Sequence, residues 1–431
     1  MYHMFLVGVE EILKILLDWL KNSMNNVTII GAGLAGCEAA LQLSAKGYNV
    51  KLYDSKPRKV LPVYNLQTYA ELVCNNSIGS TDICSPLGLL LYELELLGSR
   101  MLDIAQKCRV EDSSCIAVDK KKFSTIVTNM LRCHNVTLIN EHMRKIPKDD
   151  HVVIATGPLT DEVFIAELVK KCNICEYYFS DASSPVVDIE TVDLSNKSIV
   201  KISDDLYAIL LSETDLAVFC QKLVNAEYIT RNVIDETIDF EKCQSIEMLA
   251  QLGIERLIQS RLMYKCINQP CILLRRENGV NNGFILVGCM TMLSHKEQNC
   301  IFSILPGLES VKFIKYGRMH RNTFLHSPGA LDCFYRVKDT NIFIVGQLSG
   351  IDGYAPSIAS GLVAAKKIIY GNAFPVIPPN TMIGVLANYV SNTDVVDFQP
   401  MCASFSLLQK MDLKNYAVNS KKILEKFSSF V

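Results

Sequence analysis

The sequence predicts an α/β protein, a Rossmann-like domain on a parallel sheet interrupted by a smaller α+β insertion. Three observations predict it. Residues 27–54 read as strand, glycine-rich turn, helix and strand; residues 151–158 read as a buried strand ending in a small-residue turn; residues 341–367 read as a strand, a glycine-rich loop and a helix. Residues 24–190 and 316–431 are therefore assigned to one domain that is discontinuous in sequence, and 191–315 to the insertion. The insertion mixes strand and helix patterns (Ser198–Lys201, Leu206–Leu211, Asp215–Asn225, Ile246–Arg261, Phe284–Gly288) without repeats or low complexity.

In the first unit, Val27-Thr28-Ile29-Ile30 is an apolar run of the kind found in strands buried on both faces. It enters Gly31-Ala32-Gly33-Leu34-Ala35-Gly36, followed by a helical stretch from Cys37 to Lys46 that Gly47 ends. Gly31 permits the tight turn, Gly33 lets the backbone approach a pyrophosphate, and Gly36 allows close packing of helix on strand. The helix N-terminus offers N–H groups and the positive end of its dipole to phosphates. Asn49–Tyr53 forms the next strand, and Asp54 stands at its tip, 18 residues after Gly36. That carboxylate is placed to accept both hydroxyls of a ribose and to disfavour a 2′-phosphate.

The two later segments choose the nucleotide. His151-Val152-Val153-Ile154-Ala155-Thr156-Gly157-Pro158 resembles the strand that runs under the adenosine half of FAD in flavoproteins with two dinucleotide folds. Asn341–Val345 leads through Gly346-Gln347 and Ser349-Gly350-Ile351-Asp352-Gly353-Tyr354 into a helix from Ser357 to Lys367. This resembles the second flavin motif, in which a helix N-terminus faces the pyrimidine edge of the flavin, where negative charge gathers on reduction. Pro375, Pro378 and Pro379 mark a surface crossing before the last helical segment.

Bulk properties limit the alternatives. At 431 residues the chain can form two or three domains, and a net charge of −2 excludes a generally basic nucleic-acid packaging protein. Its sixteen cysteines are scattered, which suits reduced thiols in a cytosolic protein better than a disulfide framework. Cys172 and Cys175 form the one close pair, with no second pair or histidines near in sequence, so no metal site is expected. Residues 1–23 carry an apolar helical stripe broken by Glu10, Glu11, Lys14 and Asp18, which argues against a membrane span. They have neither the cationic start nor the cleavage site of a secretory signal. An amphipathic helix packed on the body and an upstream start codon, with Met24 the working one, are both open readings.

Several further stretches resemble one family, the folate- and FAD-dependent tRNA uracil-5-methyltransferases called TrmFO. The likeness begins at Val27–Ala40 and continues in Ala70-Glu71-Leu72-Val73-Cys74-Asn75-Asn76-Ser77 and Ala155–Thr160. It resumes in Cys243-Gln244-Ser245-Ile246-Glu247-Met248-Leu249-Ala250, Leu274–Asn278 and Glu297-Gln298. It ends with Tyr316-Gly317-Arg318-Met319-His320-Arg321-Asn322-Thr323-Phe324 and Phe398-Gln399-Pro400-Met401. The order is kept from about residue 26 to 408, nearly the whole chain.

The resemblance implies that methylenetetrahydrofolate gives its one-carbon unit to reduced flavin, which delivers it to C5 of a uridine in the T-loop of tRNA. NAD(P)H would reduce the flavin again. Uracil C5 is a poor nucleophile until a group adds at C6, and a thiolate does this well. The family's nucleophile matches Cys243, and a second family cysteine, near the flavin, matches Cys74. Cys243 precedes the helical run from Ile246, so a helix N-terminus is available to lower its pKa. Arg318, His320, Arg321 and Asn322 suit a folate glutamate, a phosphate or the flavin pyrophosphate. Arg275 and Arg276 suit RNA phosphate or plain surface charge equally.

The chain departs from the family where RNA or folate should bind. Pro62-Val63-Tyr64-Asn65 replaces a His-His pair and its neighbour, and Gly79 replaces an arginine. Gly288–Gln298 lacks the family's Lys-Trp, with Ser294 and His295 in their place, while Arg261–Lys265 and Cys402–Ser406 depart from two further strings. These losses imply fewer phosphate contacts and one fewer stacking ring. Ribosomal RNA as the target and a non-catalytic FAD- and RNA-binding accessory role stay open. A thiol-disulfide flavoenzyme would need two cysteines close in sequence beside the flavin, and Cys74 has no partner within five residues.

Overall fold

The computed structural model describes residues 26–58, 66–73, 76–110, 115–182, 184–227, 245–262, 269–277, 282–317, 319–395 and 398–431, without the side chains of 176–182, 319–321 and 414. The chain divides into two compact units, Met1–Glu176 with Phe324–Val431, and Tyr177–Thr323. The unit boundaries thus fall at 176/177 and 323/324, against 190/191 and 315/316 expected from sequence. The reason is pairing: a strand at Val186–Asp188 joins the sheet of the second unit.

Along the chain, the first unit opens with β1 (Asn26–Ile30), α1 (Leu34–Ala45) and β2 (Asn49–Asp54). It continues through β3 (Ser77–Ser80), α2 (Pro86–Leu96), α3 (Arg100–Lys107), β4 (Cys115–Ala117), α4 (Lys120–Cys133), β5 (Val136–Asn140), β6 (His151–Ile154) and α5 (Glu162–Cys172). β7 (Glu176–Ala182) leads into the second unit, which holds β8 (Val186–Asp188), β9 (Ile199–Ser203), β10 (Leu206–Leu210) and α6 (Glu213–Val224). There follow α7 (Ile246–Gln251), α8 (Ile254–Leu257), β11 (Cys271–Arg276), β12 (Gly283–Val287), α9 (His295–Phe302) and β13 (Phe313–Lys315). β14 (Met319–Leu325) pairs with β7 and returns the chain to the first unit, which closes with β15 (Ile342–Ile344), α10 (Tyr354–Tyr370), α11 (Met382–Ser391) and α12 (Leu413–Leu424).

The first unit is built on a parallel sheet of order β15-β6-β1-β2-β5. Val27 to Ile30 are buried, as are Val152, Val153 and Ile154 beside them, which is why these strands read as unbroken apolar runs. α1 crosses α10 so closely that a Cβ on Gly361 would lie 2.2 Å from the Ala35 carbonyl oxygen, so this contact tolerates only glycine. Two buried glutamates tie the outer helices together. Glu38 on α1 accepts the Ser99 hydroxyl (2.9 Å) and the amides of Arg100 (3.1 Å) and Met101 (2.7 Å) at the start of α3. Glu93 on α2 accepts the amides of Met382 and Ile383 (both 2.8 Å) at the start of α11 and the Ser420 hydroxyl (2.6 Å) of α12. Each carboxylate meets N–H groups that the first turn of a helix cannot satisfy itself.

The second unit is a six-stranded sheet of order β13-β8-β12-β11-β10-β9, antiparallel throughout. Its core joins Ile209, Leu211, Ile272, Leu274 and Leu286 of the sheet to Phe219, Leu223, Leu249 and Phe302 of the helices. The helix expected over Ile246–Arg261 is broken: α7 stops at Gln251 and Gly253 takes a φ of +113°, which ends one helix and admits another. The helix expected from Ser357 begins three residues earlier, at Tyr354. Among the described residues, no helix is long and apolar enough to cross a membrane, and no group of three or more His, Cys, Asp or Glu is arranged to hold a metal ion. Residues 1–23 lie outside the described residues.

Candidate functional site

The glycine-rich turn between β1 and α1 is shaped by three different demands. Gly31 has a φ of +102°, and a Cβ there would lie 2.4 Å from the Ala155 carbonyl oxygen just beyond β6. At Gly36 a Cβ would lie 1.9 Å from the Gly31 carbonyl oxygen, so the first turn of α1 rests directly on the loop. Gly33 differs from both. Its φ of −76° suits any residue, and a Cβ would meet nothing within 4 Å. Gly33 is the N-cap of α1 and supplies no side-chain hydrogen bond, so the helix start is left for an external acceptor.

Asp54 holds the loop from the next strand. One carboxylate oxygen accepts the Ala32 amide at 2.8 Å and the other accepts the Lys56 amide at 2.9 Å. Both oxygens keep lone pairs for a ribose, since a carboxylate has about four acceptor sites. Ala32, Leu34 and Ala35 are buried around this turn. Cys37, one turn into α1, donates its S–H to the Ala32 carbonyl at 3.3 Å. Burial, followed by the charges of Asp54 and Glu38, pushes that thiol well above its ordinary range, so it is a neutral structural thiol.

A cavity of ≈ 440 Å³ opens in front of this turn, within the range of small-molecule sites. Of the residues expected at a nucleotide site, Gly31, Ala32, Gly33, Asp54 and Thr156 line it, beside Ile30, whereas Leu34, Ala35, Gly36 and Gly157 do not. Its remaining polar lining escaped that reading. Lys56 and Glu71 both line it and form an ion pair at 2.8 Å. His142 and Asp161 line it too and meet at 3.1 Å. Thr160 donates to the Thr156 hydroxyl (2.6 Å) and lies 2.7 Å from the Gly157 carbonyl, fixing the turn after β6. A usable signal existed: Glu141 and His142 follow the carboxyl end of β5, and parallel sheets bind ligands outside that end. Ala70 carried no such signal, yet it takes a left-handed φ of 52° and donates its amide to the Ala32 carbonyl at 2.9 Å.

The second glycine-rich loop belongs to the same unit but does not line that cavity. Gly346 has a φ of +72°, donates its amide to the Ser360 hydroxyl at 2.8 Å, and would place a Cβ 3.4 Å from that of Ala35. Gln347 donates to Asp352 at 2.8 Å. Gly353, with a φ of +103°, is the N-cap of α10 and gives no side-chain cap. Two helix starts, α1 and α10, are therefore built alike, each opened by a glycine. Gly157, at a φ of +74°, also faces open space.

The other candidates fall elsewhere. Cys74, Cys243 and Arg318 lie outside the described residues, as do the side chains of His320 and Arg321. Asn322 is buried on β14. Arg275 and Arg276 end β11; Arg276 pairs with Asp205 at 2.9 Å and lies 5.8 Å from the Phe284 ring centroid. Gly79, which stands for a family arginine, is buried in β3, where a Cβ would lie 2.9 Å from Leu91 Cδ1.

A family model described as glucose inhibited division protein A matches residues 26–370. The methylenetetrahydrofolate--tRNA-(uracil-5-)-methyltransferase TrmFO of Acetivibrio thermocellus is 36% identical over 430 residues, covering 94% of this chain and 98% of that protein. Its namesake from Bacillus subtilis is 35% identical over 409 residues, covering 91% of this chain and 94% of that protein. Among solved structures, GidA of Aquifex aeolicus in its form II crystal is similar with a TM-score of 0.68, over 94% of this chain and 74% of that one. At 16% identity that likeness speaks for the fold alone. With relatives matched nearly end to end and a family model spanning the glycine-rich turn, both units and α10, this chain belongs to the TrmFO family.

Proposed function

We propose that this protein methylates C5 of a uridine in tRNA, at the T-loop position, using FAD, methylenetetrahydrofolate and NAD(P)H in the cytosol. One observation carries the reading: proteins named for that reaction match this chain over about nine-tenths of both lengths. The open space at Gly33 and the uncapped start of α1 fit a dinucleotide pyrophosphate. FAD bound here would supply the redox chemistry that carries the one-carbon unit of methylenetetrahydrofolate to the base.

The residues of this chain have separate tasks in that reading. Gly33 and the first amides of α1 hold the pyrophosphate, Asp54 accepts the ribose hydroxyls, and Thr156 and Gly157 border the adenosine half. Gly346, Gln347 and Gly353 bring the start of α10 to the flavin. Cys243 adds as a thiolate to C6 of uracil; the ring π electrons move toward the C4 oxygen and C5 becomes the nucleophile. Once C5 has bonded to the incoming carbon and lost its proton, the thiolate leaves; two electrons from NAD(P)H, passed through FAD, would then release that carbon from its carrier as a methyl group. Cys74 would serve beside the bound cofactor, the role the family resemblance implies for it. Arg318, His320, Arg321 and Asn322 hold an anionic ligand, and Arg275 contacts RNA phosphate, with Arg276 weakened in that task by Asp205.

The test is direct. The purified protein should show a flavin spectrum and form 5-methyluridine in an unmodified tRNA transcript when given methylenetetrahydrofolate and NAD(P)H. Cys243→Ala should keep the flavin and lose the methylation. A Cys243→Ala variant that methylates at the wild-type rate overturns the choice of nucleophile. Loss of 5-methyluridine from ribosomal RNA, but not tRNA, in a deletion strain moves the target to ribosomal RNA.

A further inference from the structure

The buried core of the second unit runs outward as a ladder of five rings. Phe219 and Phe302 are fully buried, with centroids 6.1 Å apart. Phe302 packs at a tilt on Phe313, 6.3 Å away. From Phe313 outward the rings lie nearly parallel. Phe313 and Tyr316 stack at 5.1 Å with planes 15° apart, and Tyr316 and His295 stack at 4.1 Å with planes 12° apart. Exposure rises in the same order, from buried Phe302 through half-buried Phe313 and Tyr316 to exposed His295.

The outer rungs are fixed in place. The Asn299 amide donates to the His295 carbonyl at 2.9 Å and exchanges hydrogen bonds with the Tyr316 hydroxyl at 3.0 and 3.2 Å. Ser294 caps α9 by accepting the Glu297 amide at 3.2 Å, which sets the direction in which His295 leaves the helix. A surface imidazole ordinarily samples several rotamers, and ordering it costs entropy. Here that ordering is done in advance: one face of the ring lies on Tyr316 and the residue is open to solvent. Three lysines of the same region, Lys296 beside it and Lys312 and Lys315 on the β13 segment, are exposed as well.

We propose that this ladder is a docking platform for an unpaired base of the RNA substrate. His295 is its stacking face, and Lys296, Lys312 and Lys315 receive the flanking phosphates. The proposal rests on the reading of the protein as an RNA methyltransferase. A pre-ordered ring, with exposed lysines next to it in sequence (Lys296) and on the strand segment that carries its Tyr316 partner (Lys312, Lys315), meets both needs of an unpaired nucleotide, a π-face for the base and cations for the backbone. The lysines favour RNA over an apolar protein partner. The family's tryptophan is absent from Gly288–Gln298, and the ring that stands in its place is the His295 imidazole, stacked on Tyr316.

The test is binding of an unmodified tRNA transcript, followed by fluorescence anisotropy, with the flavin content of each variant measured alongside. His295→Ala should weaken binding roughly tenfold, the effect of losing one stacked base. His295→Phe, which keeps a ring without its nitrogens, should bind as the wild type does. Lys315→Gln should lower the slope of log affinity against log salt by about one. His295→Ala binding within about twofold of a wild type that itself binds and methylates tRNA overturns this inference and leaves the proposed function standing. A raised KM for methylenetetrahydrofolate with unchanged RNA affinity also overturns it, since the ring would then serve the pterin. A wild type that binds no RNA overturns both.

Discussion

Gly33 and Gly36 stand three residues apart in one turn, and the structure predicts opposite outcomes when each becomes alanine. At Gly36 the new Cβ would lie 1.9 Å from the Gly31 carbonyl oxygen and 3.2 Å from Ala155 Cβ. Non-bonded carbons rest at about 3.5–4.0 Å, so backbone on one side or the other must move by more than an ångström. No flexible side chain can yield there, which puts the cost at the top of the overpacking range, about 3 kcal/mol. At Gly33 the φ of −76° accepts any residue and the methyl group enters open space. The folded protein without ligand should then change by less than about 1 kcal/mol, since a less free unfolded chain offsets alanine's poorer fit at the N-cap. What changes is the room for a pyrophosphate. If FAD at 100 times its Kd adds about 2.7 kcal/mol to the wild type, a hundredfold loss of affinity leaves about 0.4 kcal/mol. Thermal melting with and without FAD, beside a flavin fluorescence titration, separates the two. Gly36→Ala should melt early in both conditions; Gly33→Ala should melt normally alone and gain almost nothing from FAD. Wild-type FAD affinity in Gly33→Ala would refute the placement of the pyrophosphate, and early melting of that variant alone would refute the packing argument.

Three further outcomes follow from buried groups. Burial raises the Glu93 carboxyl from its ordinary 4.5 to about 7, against the pull of the Ser420 hydroxyl and the Met382 and Ile383 amides. A raised carboxyl pKa stabilises the fold fully below about 4.5, and that contribution is lost as pH rises through 7. Stability should therefore fall by roughly 3 kcal/mol between pH 5 and 8, and Glu93→Gln should flatten that decline in denaturant titrations; an equally steep decline in the variant refutes the assignment. In the second unit, Glu247 accepts the Thr291 hydroxyl and the amides of Met292 (2.9 Å) and Leu293 (3.0 Å). Glu247→Ala removes the acceptor of the Thr291 hydroxyl and the Met292 amide, while the Leu293 amide keeps the Thr291 hydroxyl at 3.1 Å, and should cost about 2 kcal/mol, read by hydrogen exchange in the second unit with FAD binding intact; a loss under about 1 kcal/mol contradicts it. Restoring the family's arginine through Gly79→Arg should destabilise the first unit by about 1–3 kcal/mol, because the side chain must leave past Leu91; melting at the wild-type temperature would show that the site has room.

The glycine-rich turn was legible because its conformational demands are local. Gly31, Gly33, Gly36 and Asp54 lie within one β1-turn-α1-β2 unit, where Gly31 takes the positive φ of the tight turn and Gly36 packs on the Gly31 carbonyl. Strands β6 and β15 were legible for a related reason, since strands covered on both faces need unbroken apolar runs. The rest of the cavity was not legible. Lys56 and Glu71 are 15 residues apart and His142 and Asp161 are 19 apart, and nothing in their neighbours announces a pairing that only the folded chain creates. The broken helix at Gly253 was missed because an isolated glycine in a helical pattern is compatible with continuation or with a stop.

By itself, then, the sequence determined the parallel nucleotide-binding sheet, the existence of an insertion and the family. Each of these is written in short-range periodicity and in residue strings that survive without coordinates. Tertiary structure alone decided where the insertion begins, because β8 is assigned by its hydrogen bonds to β12 and β13 and not by its three residues. It also decided that a side chain at Gly79 would press on Leu91, and that His295 lies flat on Tyr316. Space and stacking are relations between residues distant in the chain, and only the fold brings them to the distances at which contact and repulsion act.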